Sequence, residues 1–399
     1  MSEKDVKQKM SSSSIDDREI SIQHGEGRFS LREAKGLVKS LNKPTAWIYW
    51  ADFLASIITG HILFNALLHS DSWLSGSAFF VWSFKVSIYA AVVLLFLRSV
   101  MFTHELVHLP REGYRGFRIV WNLLCGIPFM IPSFMYYPHV DHHRRKCYGT
   151  EEDGEYLNLS HQPPRAIVIY MLLTLVTPFV GFSRFAVLAP IGWIFPKVRQ
   201  WTFHRASTMV MDIMYIRPDA GKAVQRMIFM QELACFGVCM VIALRNPIQG
   251  KYFDPLWVQA YLVSLGLLIM NNIRTLGAHR WTGDGAELSF QDQLLDSCDY
   301  PYRAWITELW GPVGTRYHAT HHLFPSIPYH NLGKAHRALM EGLPADSPLR
   351  ETVKVSLLGE IAVLWRRATE AAAAKHSNQA GESKRHDSKS NRDSQRDVA

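Results

Sequence analysis

Apolar residues concentrate in the middle of the chain, between about Ala46 and His279, and both ends are polar. Residues 46–69 (AWIYWADFLASIITGHILFNALLH) are long enough to cross the roughly 30 Å hydrocarbon core of a bilayer, with Trp47 and Trp50 placed as interface anchors. A second span, 78–101, runs without a break into HELVH. The loop between them, HSDSWLSGS, holds no Lys or Arg, which puts it outside and returns both ends of the hairpin to the cytosol. Two further spans follow at about 225–244 and 255–279. Their joining loop, RNPIQGKYFD, carries two cations and one anion and argues weakly against an exterior placement.

Histidines punctuate this pattern. His104 and His108 lie in HELVH, His139, His142 and His143 in HVDHH, and His318, His321 and His322 in HATHH, each group just beyond an apolar segment. With 18 histidines in 399 residues, chance predicts about 0.04 copies of HxxHH, and there are two. Groups that share one centre lie on one side of the membrane, so an even number of crossings separates them. The single apolar stretch between the first two groups, 119–135, is broken by Pro128 and Pro132 and is expected to lie in the interface or to dip and return. The stretch 166–195 is divided by Pro178, Arg184 and Pro190 into halves of about 12–17 residues, each short for a crossing, and reads as a pair of interfacial helices. The expected fold is all-α and polytopic: about four transmembrane helices, one cytosolic histidine-rich cap, and interfacial helices. Residues 1–45 are expected to form a polar cytosolic arm and 46–370 the membrane domain. Residues 371–399, with almost no large apolar side chain, are expected to be a disordered tail.

Composition adjusts this picture little. A net charge of +8 and a pI near 9.2 are compatible with nucleic acid, but the Lys and Arg residues fall mostly in segments placed in the cytosol, where an anionic leaflet attracts them; no nucleic-acid partner is expected. The five cysteines form no CxxC and no even disulfide framework. Cys235 and Cys239 read as small hydrophobes in a helix, and Cys147, near the second histidine group, is a minor ligand candidate. The first 45 residues show no apolar signal-peptide core.

Imidazole is the usual nitrogen ligand of iron, copper and zinc, and eight in three groups exceed what one mononuclear site needs. In HELVH the spacing i, i+4 places both rings on one helix face. In HVDHH and HATHH the i and i+3 histidines are expected to share a face, the adjacent third pointing toward a second metal. His279, at the cytosolic end of the fourth span, is a ninth ligand candidate. Asn271 or Asn272 would reach a metal through water only from a distorted helix. A diferrous pair held by neutral imidazoles carries a formal charge near +4 and needs anions to brace the rings. Glu105 and Asp141 are the expected braces, with EEDGE at 151–155, Asp284 and Glu287 also nearby.

Two rival chemistries share part of the pattern. HELVH matches HExxH, in which His104 and His108 bind zinc and Glu105 is the general base of an intramembrane protease, but that leaves the other two groups without a role. A metal carrier or sensor would use the histidines for storage alone; it would keep metal without consuming O2.

HELVH, HVDHH and HATHH resemble the three histidine boxes of the membrane fatty acid desaturase superfamily, and the resemblance runs from the first span to HATHHLFPSIPYHNL and includes HHRRKCYGTEEDGEY. It implies a four-helix membrane protein with a cytosolic diiron cap, O2 as co-substrate, and His279 as the extra ligand on the fourth span. The implied activity is an oxidoreductase, a fatty acyl desaturase that introduces a cis double bond into an acyl lipid; a hydroxylase or carotenoid ketolase of the same superfamily is the alternative. Acyl-CoA desaturases carry Asn one turn before the extra histidine, whereas Thr275 stands here. No HPGG haem motif occurs, so electrons are expected from a separate protein of the ferredoxin, rubredoxin or cytochrome b5 type with its reductase. The expected location is the bacterial inner membrane, with the endoplasmic reticulum as alternative.

Overall fold

The computed structural model describes residues 21–24, 27–248, 250 and 253–396. The architecture is helical. The paired strands among the described residues, β1 (Ser21–His24) and β2 (Gly27–Ser30), form one antiparallel hairpin with Ser21 opposite Ser30. It leads into α1 (Leu31–Val38), whose first turn is capped by the Ser30 hydroxyl accepting from Glu33 N. Leu31, Ala34 and Val38 recur at helical spacing, and with Phe29 they bury against Leu332, Ala335 and Leu339. The expected polar arm is therefore corrected: its second half is part of the cap, because one apolar stripe suffices to dock a short helix. Residues 1–20 lie outside the described residues.

The hairpin of α2 (Ala46–Leu68) and α3 (Ala78–His108) forms the centre of the membrane domain. Phe53, Phe102 and Phe117 pack edge-to-face between them, and a Cβ on Gly60 would stand 2.5 Å from the Phe96 ring, so only glycine lets the two helices approach there. Charge inside the hairpin is neutralised locally. Arg98 donates through Nε and Nη2 to Asp52 at 2.5 and 2.6 Å, and through Nη1 to Glu308 at 3.0 Å. With 31 residues, α3 is roughly 46 Å long, more than a bilayer core requires, so its last turns emerge carrying His104 and His108. Pro110 stops it by forcing Leu109 into an extended conformation (φ −65°, ψ 143°).

The stretch 119–135 turns back on itself, as expected. A helix over Arg115–Trp121 passes through a π turn, and Asn122 staples the return by donating to Ser133 Oγ and accepting from Ser133 N, both at 2.9 Å. This bonding is what permits irregular backbone at membrane depth. The chain then enters α4 (His139–His142).

Among the described residues five helices are long and apolar enough to cross a membrane, against about four expected: α2, α3, the composite Thr177–Ile194, α5 (Lys222–Ile248) and α6 (Pro255–Ala278). The additional candidate is at the margin, about 27 Å long by helical rise, and a π turn over Arg184–Leu188 interrupts it. Its Arg184 is buried and donates to Glu232 of α5 at 2.5 Å, and Arg199 donates to the same carboxylate. His142 and His279 meet at 3.3 Å on one side of the helices, so an even number of crossings separates them, and α5 and α6 already supply two. Glu232→Ala is expected to destabilise the fold by about 3–5 kcal/mol, since it leaves a buried guanidinium without its anion. The thermal midpoint of the purified protein measures this; an unchanged midpoint contradicts it.

The cap is completed by α7 (His318–Leu323), α8 (Tyr329–Gly342) and α9 (Leu357–Arg396). The tail expected to lack structure continues α9 as far as Arg396. Its AAAA at 371–374 offers the strongest helix former four times, which composition-based reasoning about core burial overlooks.

Candidate metal centre

The nine histidines named from sequence converge into two sets. His104, His108, His139, His143 and His321 form one, and His142, His279, His318 and His322 the other; within each set one nitrogen from every residue lies within 4.8 Å of the others. The partition corrects the expected one. In both HxxHH groups the i and i+4 residues stay together and the middle histidine crosses to the other set: His139 with His143, His318 with His322, while His142 and His321 exchange sides. On a helix i+4 lies about 40° from i and i+3 about 60° on the opposite side, so two short helices facing each other can share the two centres in this way.

Hydrogen bonding fixes the ring tautomers. His142 Nδ1 lies 2.8 Å from Asp153 Oδ2 and His139 Nδ1 2.9 Å from Glu155 Oε2; carboxylates accept, so both Nδ1 atoms carry the hydrogen. Tyr148 gives its own proton to Asp296 Oδ2 at 2.8 Å and therefore accepts from His279 Nδ1 at 2.9 Å. The Nε2 atoms of His142 and His279 are then both lone pairs, yet they face each other at 3.3 Å. His318 Nε2 stands 2.8 Å from that of His279, and His143 Nε2 is 2.9 Å from that of His139. Facing lone pairs such as those of His142 and His279 repel unless a cation lies between them, and two nitrogens about 2.0–2.1 Å from one ion are about 3.0–3.4 Å apart. Both nitrogens of His104 and Nε2 of His108 are buried without a hydrogen-bond partner among the described residues. The donor set fits divalent first-row metal ions.

Electrostatics agrees. Burial, followed by the mutual influence of neighbouring imidazoles, holds His139, His143, His318, His321 and His322 well below the ordinary imidazole range, in the neutral form that ligates. Burial acts in the same direction on His142, but Asp153 outweighs it and raises that ring, so a proton and a cation compete for its Nε2. Burial also pushes the Glu155 carboxyl up to about 8.

The bracing carboxylates are Asp153, Glu155 and Asp296, not the expected Glu105 and Asp141. Glu105 accepts from Tyr49 OH at 2.5 Å and Tyr329 N at 3.1 Å and stands 4.0 Å from His104 Nδ1. It ties α3 to the cap and is turned away from where a zinc-protease base would act. Asp141 pairs with Arg144 at 2.6 Å, while Asp284 and Glu287 are exposed. Asp296 carried no local signal: it lies opposite His279 because residues 278–280 pair with 296–298, Arg280 N donating to Asp296 O and Cys298 N to Ala278 O. His336, which has no partner spacing in sequence, supports HATHH from behind. Its Nδ1 donates to Asp299 Oδ2 at 2.8 Å, and Asp299 Oδ1 accepts from Thr320 N at 3.1 Å.

Cys147 joins neither set. Its thiol donates to Glu152 at 3.4 Å, and burial first of all pushes it up to about 11, a poor thiolate source. Cys147→Ala is expected to retain most activity and its metal; metal analysis showing loss contradicts this assignment.

A family model described as fatty acid desaturase matches residues 80–353. The chain is 33% identical over 343 residues to a ceramide hydroxylase of Caulobacter vibrioides, an alignment that covers 84% of this chain and 93% of that protein. No solved structure matches.

Proposed function

The chain belongs to the fatty acid desaturase family of integral membrane oxidoreductases, and on that premise we propose that it is an O2-dependent diiron hydroxylase of a ceramide-like lipid. The observation that carries this reading is the similarity to a ceramide hydroxylase along nearly all of that protein. It favours the alternative named from sequence over introduction of a cis double bond. The two reactions begin with the same hydrogen abstraction, so the histidine pattern serves both.

His104, His108, His139, His143 and His321 would hold one iron, and His142, His279, His318 and His322 the other. When bound, the pair supplies reductive activation of O2 and oxidation of an unactivated C–H bond. The chain's own task is placement. Asp153, Glu155 and Asp296 hold three rings with Nδ1 protonated and Nε2 free, and the apolar helices bring a lipid tail to a cap that excludes water. Electrons come from a separate ferredoxin, rubredoxin or cytochrome b5 type protein, with the cap in the cytosol of a bacterial inner membrane.

The test is turnover of ceramide by the iron-loaded protein in lipid nanodiscs, under 18O2 and with an electron supply. The expected product gains one 18O atom. A product short of two hydrogens and without 18O restores the desaturase, and retained iron without O2 consumption favours a storage protein.

A further inference from the structure

The last two turns of α6 carry Asn271, Asn272, Arg274 and Thr275, a polar set inside an otherwise apolar span. From residue 264 to residue 275 every position is half-buried, none fully buried and none fully exposed. Over three turns this helix therefore has no densely packed face, which is how a wall bordering internal space differs from a core helix.

Arg274 sits in that wall within electrostatic reach of both histidine sets: His104 of one, His318 of the other, and Tyr136, Tyr170 and Glu155 besides. Its Nη2 donates to Asn271 Oδ1 at 3.1 Å and Thr275 Oγ1 at 3.0 Å, both neutral acceptors on its own helix. Its Nε–H is buried with no partner among the described residues, and so is Glu155 Oε1. Leaving a buried polar atom unsatisfied is costly, and Arg274 and Glu155 lie within electrostatic reach of each other, so one ligand carrying an acceptor and a donor would answer both atoms.

We propose that Arg274 and Glu155 form the polar half of the substrate site, selecting a lipid with a neutral acceptor and a donor side by side, as in a secondary amide with a neighbouring hydroxyl. Arg274 Nε–H donates to the carbonyl oxygen, and Glu155 Oε1 bonds the amide N–H or the hydroxyl. A hydroxyl answers Glu155 in either protonation state, whereas a carboxylate or phosphate answers only the protonated one. A simple ester has no donor to offer. Thr275, which stands where acyl-CoA desaturases carry Asn, fits the same site: its hydroxyl accepts from Arg274 and donates to Asn271 O. The inference rests on the hydroxylase reading and adds to it the reason for an amide-bearing substrate.

The test uses the full iron-loaded chain in nanodiscs, with equilibrium binding and the division between KM and kcat as readouts. The probes are a ceramide, the same ceramide methylated on nitrogen, the free fatty acid, and its methyl ester. The expected wild-type order places ceramide tightest. Arg274→Leu should raise both Kd and KM for ceramide by about tenfold to a hundredfold; the methyl ester, which offers the carbonyl but no donor, should bind the wild type more weakly than ceramide and also lose affinity in this variant. Arg274→Gln, which keeps an N–H, should recover part of the loss. Unchanged ceramide affinity in Arg274→Leu, or tightest wild-type binding of the free acid, overturns the proposal. Should Arg274→Leu fail to fold, Arg274→Gln and the comparison of ceramide with the free acid and its methyl ester decide alone, the N-methyl ceramide reporting whether Glu155 bonds the amide or the hydroxyl. A wild-type protein that binds ceramide in the expected order but forms no hydroxylated product defeats the functional reading and leaves this site standing.

Discussion

Replacing His142 with Ala is expected to abolish turnover and to halve the iron content, and His321→Ala to do the same from the other set. The two sets share no residue: His142 belongs to the group of four, His321 to the group of five. Each substitution therefore empties one position and leaves the neighbouring donors intact, and the double variant should bind almost no iron. Removing a residue that merely orients a ligand commonly costs about 10–100-fold in metal affinity or activity, so removing the ligand itself should exceed that range. The structure adds a reason specific to this pair. His142 and His321 are the two histidines that cross between short helices, so each links the third histidine group to the second. Metal analysis of purified wild-type protein should find about two irons per chain. A lone zinc, or two irons in both variants, contradicts the assignment.

What the sequence revealed was whatever depends on short spacing. HELVH, HVDHH and HATHH pointed to eight of the histidines that the structure brings together, and the depth of His279 at the end of a long span pointed to the ninth. Their convergence needed only the topological condition that all lie on one side. The partition between sets was not legible, because i+3 and i+4 lie almost equally close to one helical face and the choice is made by the opposing helix. The braces were misassigned for a related reason. Glu105 and Asp141 are adjacent to ligands in sequence, but adjacent helical residues point about 100° apart, so proximity along the chain favours the wrong direction. Asp153 and Glu155 lay within a named acidic run, whereas Asp296 comes 17 residues after His279 and reaches it only through backbone pairing of 278–280 with 296–298. The stretch Thr177–Ile194 was legible only as fragments, because Pro178, Pro190 and Arg184 look like interruptions, whereas the structure makes it a marginal fifth candidate. The missing information was Glu232, which neutralises Arg184 from another helix.

The expected outcome for Asp296→Asn is selective loss of the four-histidine site. Asp296 is fully buried and accepts from Tyr148 OH, Tyr156 OH, Thr282 N and Thr282 Oγ1 at 2.8, 3.1, 2.7 and 2.7 Å, with His279 Nδ1 at 3.3 Å. Burial works against its charge, but the bonds from His279 and Thr282 outweigh burial and hold it below the usual carboxylate range. Its hold on His279 is thus fully present above the ordinary carboxylate range and is lost only as pH falls through the depressed value. Asparagine has the same shape but offers a single acceptor oxygen and turns an NH2 group toward donors. It can no longer fix His279 with its hydrogen on Nδ1 and its lone pair on Nε2. Metal affinity at that set should fall about 10–100-fold, with the five-histidine set unaffected. Cobalt(II) titration, whose absorbance reports each site as it fills, should change from two comparable steps to one tight and one weak. Tyr156→Phe removes one donor and leaves the carboxylate in place, so it should preserve both steps. If Asp296→Asn also preserves both, the carboxylate does not set the tautomer of His279, and the case for two lone pairs facing one ion in that set loses its strongest support.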